Sequence, residues 1–177
     1  MEALRKDESG FGIIELVIAM VLLSVGILAL ASAFTSGSVA LRRASRTATA
    51  TAIADAQLER YRAVRYCAIY LEPATVPAGG SNYWTGFVGP LVTTRGASCP
   101  DVVPAEAVTA RRDLLPGQTP DGHRYRVDTY IVEGVPTTTP VALSQSVKTV
   151  TVVVRDWNYL TRQLVRQTST FHLATGS

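Results

Sequence analysis

Glu15 sits where a charged group most needs a partner. From Phe11 to Phe34 the chain holds 24 residues, and Glu15 alone among them is ionisable. A carboxylate inside an apolar helix of membrane length costs roughly 2.5 to 3.5 kcal/mol on insertion scales. A cation at the same depth relieves that cost, because opposite charges attract far more strongly away from water and each offsets the other's desolvation. The chemistry this residue offers is therefore a buried ion pair. Cys67 and Cys99, the only two cysteines, form the second candidate pair, and both lie beyond the apolar run.

Other side chains give weaker patterns. His123 and His172 are about 50 residues apart and have no Cys, His or acidic neighbour at metal-ligand spacing. Neither a nucleophile elbow nor a phosphate-binding glycine loop is present. Asp113, Asp121, Asp128, Glu133 and Asp156 are scattered through turns and strand patterns and read as solvated charges. No enzyme activity, cofactor or metal is expected. Arg124 and Arg126 stand beside Tyr125 and Tyr130, with Arg111 and Arg112 nearby. Arginines next to aromatic rings suit single-stranded nucleic acid; the alternative is an ordinary solvated strand face.

The elements that carry these residues follow from patterning. Phe11–Phe34 exceeds the 20 or so apolar residues that cross a bilayer core. It is also too long for the apolar part of a secretory signal, so a retained membrane helix is expected. Arg5 and Lys6 precede the span and Arg42, Arg43 and Arg46 follow it. That balance leaves orientation open under the positive-inside rule. Ser38–Ala68 has no proline or glycine, and Ala50, Ile53, Ala54, Leu58, Tyr61 and Val64 recur at helical steps. One helix from Phe11 to near Tyr70 is predicted, stopping before Pro73.

Residues 71–123 are punctuated by prolines and read as a long irregular connection. Tyr125–Glu133, Val147–Arg155 and, more weakly, Leu164–Leu173 alternate as strands. Asp121-Gly122 and Asp156-Trp157-Asn158 supply turns. Three sequential strands make an antiparallel meander over 124–177. The expected fold class is α+β: a long N-terminal helix, membrane half 11–34 and amphipathic half 35–70, packed on a C-terminal antiparallel sheet.

Composition adds bounds. A chain of 177 residues with one span leaves room for one small domain outside the membrane. The formal charge of +3 is too small to argue for nucleic acid. Lysine occurs only at Lys6 and Lys148.

A short polar leader ending in Gly10, then Phe11, then Glu15, all opening an apolar helix, resembles a type IV prepilin. The resemblance covers the leader 1–10 and the first helix. It implies cleavage between Gly10 and Phe11 by a prepilin peptidase on the cytoplasmic face, and N-methylation of the new Phe11 amine. It implies an assembly charge pair, Glu15 of one subunit with the Phe11 amine of a neighbour. The implied location is a single pass through the cytoplasmic membrane, leader inside and body outside, followed by a filament outside that membrane. On that exported side an even cysteine count predicts a Cys67–Cys99 disulfide.

Other pilin subunits and an inner-membrane assembly platform are the implied partners. Many major pilins carry a proline where this chain has Ser32, and Val25–Leu30 resembles minor pilins of the pilus-modification class. The expected function is a minor pilin that helps initiate or assemble a type IV pilus. The alternatives are a minor pseudopilin of type II secretion, or a DNA-uptake or adhesive pilin.

Overall fold

The computed structural model describes residues 12–77, 90–97, 99–100, 102–134 and 146–173. One long helix, α1, runs Ile13–Arg62. It opens directly after Gly12, whose carbonyl accepts from the backbone N–H groups of Glu15 (3.0 Å) and Leu16 (3.2 Å). Proline is absent throughout, and neither Gly26 nor Gly37 interrupts the helix. The Thr–Ala alternation of Thr47–Ala52 is helical, because the buried residues within and after it, Ala50, Ala54, Leu58 and Tyr61, recur at helical spacing. The chain divides between Ala44 and Ser45 into two compact units.

The helix ends eight residues before the Tyr70 expected from sequence. A separate 3-10 turn, Tyr66–Ala68, follows it. That turn is fastened from β3. Lys148 there donates its Nζ to the carbonyls of Tyr66 (3.0 Å) and Ile69 (2.9 Å).

The second unit holds a four-stranded antiparallel sheet in the order β1 Arg111–Leu114, β2 Tyr125–Gly134, β3 Val147–Asp156 and β4 Tyr159–His172. The sequence predicted only the last three. β1 falls inside the stretch expected to be irregular, because Arg-Arg-Asp-Leu shows no apolar alternation. Its register sets Arg111 opposite Asp128 and Asp113 opposite Arg126. Cross-strand charge therefore helps to pair this strand, whose one buried side chain is Leu114. The turn into β2 uses Gly122 at φ +66°, the left-handed region that favours glycine.

Residues 45–62 of α1 pack on one face of the sheet. The shared core joins Ala50, Ala54, Leu58 and Tyr61 to Val127 and Ile131 of β2 and to Val150, Val152 and Val154 of β3. Two fully buried alanines at the crossing let the helix backbone come close to the strands. A short helix, α2 (Ala105–Val108), offers the Ala107 carbonyl to both Tyr61 Oη and, at 3.3 Å, Gln57 Nε2.

The described parts of the connection are laid against β2 beyond the end of β1. Val92 N–H donates to the Ile131 carbonyl at 2.8 Å, Leu71 N–H to Val92 at 2.9 Å, and Glu72 N–H to Val108 at 2.8 Å. This segment is irregular yet fastened.

Candidate assembly surface and charge sites

Every residue from Gly12 to Ala44 is exposed in the isolated chain. Its most apolar 18-residue window has a mean hydropathy of 2.8. A helix apolar on all sides is stable only where lipid or other helices cover it. Glu15 lies in the first turn of α1. The next ionisable residue is Arg42. Gly10 and Phe11 lie outside the described residues, so the partner expected for Glu15 has no position in this structure.

Cys67 and Cys99 are joined by a disulfide with their Cα atoms 5.7 Å apart. Cys67 sits in the 3-10 turn after α1, so the bridge ties the connection to the end of the helix. The backbone reinforces it. Gly96 N–H donates to the Cys67 carbonyl at 2.9 Å, and Arg95 Nη2 donates to the Cys99 carbonyl at 2.6 Å. A Cβ at Gly96 would stand 2.9 Å from that of Cys67, closer than real contacts allow, so only glycine fits.

The arginine patch differs from its sequence image. Tyr125 and Tyr130 are buried and offer no ring to a ligand. The aromatic beside the arginines is Trp157, with the guanidinium of Arg124 4.0 Å and that of Arg126 4.7 Å from its ring centre. Arg126 also forks onto Asp113 through bonds of 2.8 and 3.3 Å. Arg111 is turned to Asp128 at 2.9 Å. These groups satisfy one another, which is the behaviour of a structured strand face. His123 lies in the turn before β2, and His172 lies at the end of β4 opposite Val147.

Two polar residues carry more weight than the sequence suggested. Asp128, expected to be solvated, is 1% exposed and accepts from Arg111 (2.9 Å) and Arg155 (3.1 Å). A carboxylate so enclosed requires both guanidiniums to offset its desolvation. Nothing in its strand pattern marked it, since burial on this face of β2 follows from tertiary packing. Lys148 is buried beneath the end of α1, with Tyr66 Oη bonded to Glu133 at 2.9 Å beside it. Burial pulls the Lys148 ammonium below its usual value, and the nearby Glu133 only partly opposes this. Period-2 spacing with Val150, Val152 and Val154 was the available signal, because it places position 148 on the core face.

Residues 5–31 match a family model described as the prokaryotic N-terminal methylation motif. The matched span takes in the Gly10–Phe11 junction, Glu15 and most of the apolar run, and it is the type IV prepilin-like signature. No curated protein and no solved structure matches the chain. The motif, one long N-terminal helix and a following four-stranded antiparallel sheet together define a pilin-like α+β arrangement. They support a type IV pilin-like or pseudopilin-like protein anchored in the membrane by its apolar helix.

Proposed function

We propose that this chain is a minor subunit of a type IV pilus, cleaved between Gly10 and Phe11 by a prepilin peptidase and N-methylated at Phe11. The mature subunit waits in the cytoplasmic membrane with its body outside and enters a helical filament through α1. An inner-membrane assembly platform and other pilin subunits are its partners. Glu15 then meets the Phe11 amine of a neighbour, and the pair fixes the register between subunits.

The observation that carries this reading is the coincidence of the methylation motif at residues 5–31 with a helix whose one ionisable residue before Arg42 is Glu15. The assignment to a minor subunit is supported by Ser32, which leaves the helix without a proline where many major pilins have one. Co-expression with a prepilin peptidase tests the core of the proposal. The chain should shorten by the ten leader residues, and Gly10→Ala should block this. A chain that stays uncut beside an active peptidase removes the assignment.

A further inference from the structure

Leu16–Leu41 contains no charged side chain, and Arg42 and Arg43 are the first charges after Glu15. α1 is unbroken across this stretch, so geometry converts the spacing into depth. At 1.5 Å per residue the helix rises about 40 Å between Glu15 and Arg42. A bilayer with both headgroup layers measures about 40 to 45 Å. With Glu15 near one face, the two arginines stand at the phosphate layer of the other.

Three further observations point the same way. Arg42 and Arg43 are both exposed. Side chains on an α-helix lean toward its N-terminus, so these guanidiniums tilt back toward the lipid. The surface is uncharged up to the residue before them, and it still presents apolar side chains there, with Phe34 77% and Leu41 73% exposed. No acidic residue occurs between Glu15 and Asp55, so the helix here presents a local excess of positive charge. A guanidinium fork binds phosphate oxygens in a bidentate way that a point charge does not.

We propose that Arg42 and Arg43 form a headgroup site for the phosphodiester of acidic phospholipids in the leaflet opposite the Glu15 end. This rests on the reading of α1 as a membrane anchor. Acidic lipid bound there sets the depth at which the subunit waits, and leaving the membrane breaks those contacts.

The test uses the full chain in nanodiscs of mixed phosphatidylcholine and phosphatidylglycerol, with retained lipid measured by native mass spectrometry after transfer to detergent. The wild-type chain should retain phosphatidylglycerol over phosphatidylcholine by roughly fivefold per arginine. The double variant Arg42→Gln, Arg43→Gln should lose that preference, and Arg162→Gln, on β4, should keep it. Equal retention by wild type and double variant, both inserted, overturns the headgroup site and leaves the anchor intact. Failure of the wild-type chain to enter nanodiscs overturns the anchor as well. Loss of the preference in excess inorganic phosphate shows an anion site indifferent to lipid, and that too overturns the proposal.

Discussion

At the scale of single residues, the molecule uses charge in two opposite ways. Glu15 is ionisable in a surface otherwise given over to apolar contact, and its proposed partner comes from another subunit. Glu15→Ala should therefore leave membrane insertion intact and abolish entry into filaments. Membrane fractionation beside immunoblots of sheared filaments measures both, and normal incorporation of the variant would sink the charge-pair role. Asp128 is satisfied entirely within its own fold. Asp128→Asn removes the charge that holds Arg111 and Arg155, leaving the largely buried Arg155 guanidinium without its counterion. The expected loss is about 3 to 5 kcal/mol, read as a lower denaturant midpoint; an unchanged midpoint would show the network to be dispensable.

At the scale of elements, what was legible in the sequence followed from periodicity. α1 and strands β2 and β3 were readable because their apolar residues recur at 3.6 and at 2. β4 was weaker because its exposed residues far outnumber its core contacts, and β1 was invisible because it is paired through Arg and Asp. The end of α1 at Arg62 had no local mark, because apolar spacing continues to Val64 and the 3-10 turn beyond is held by a lysine about 80 residues further along the chain. The candidate site divided in the same way. Glu15 was legible because its neighbours are uniformly apolar, whereas the surroundings of Arg124 and Arg126 depended on a tryptophan and an aspartate brought in by the fold.

The disulfide acts on this same junction. Serine at both Cys67 and Cys99 should cost about 3 to 4 kcal/mol in the chain-entropy estimate. Urea unfolding with and without reductant measures it; indifference of the wild type to reductant would contradict a stabilising bridge.

At the scale of the whole molecule, alkaline pH works against the fold. Tyr61, Tyr66, Tyr125 and Tyr130 are all buried. Burial is the largest influence on each, and it pushes the phenols up, Tyr66 to about 12 and the others further. In the unfolded chain they ionise near pH 10. Above that pH the unfolded chain sheds protons that the native state keeps, so stability falls as pH rises. Their contribution is complete below about pH 10 and is lost progressively through pH 12. Lys148 has the opposite sign, because its lowered value makes stability rise with pH until the unfolded lysine also deprotonates. Four phenols outweigh one amine, so the denaturant midpoint should drop steeply above pH 10. A midpoint constant to pH 12 would contradict the burial of these side chains.

The position of Lys148 has a use in the laboratory. With the leader gone, it is the chain's one lysine, and its Nζ is sealed against two carbonyls. An acylating reagent applied to the folded mature protein then has only the α-amine to label, and denaturation adds one further equivalent. Stoichiometric labelling of the processed chain thus becomes a counter of native against unfolded molecules, one equivalent against two.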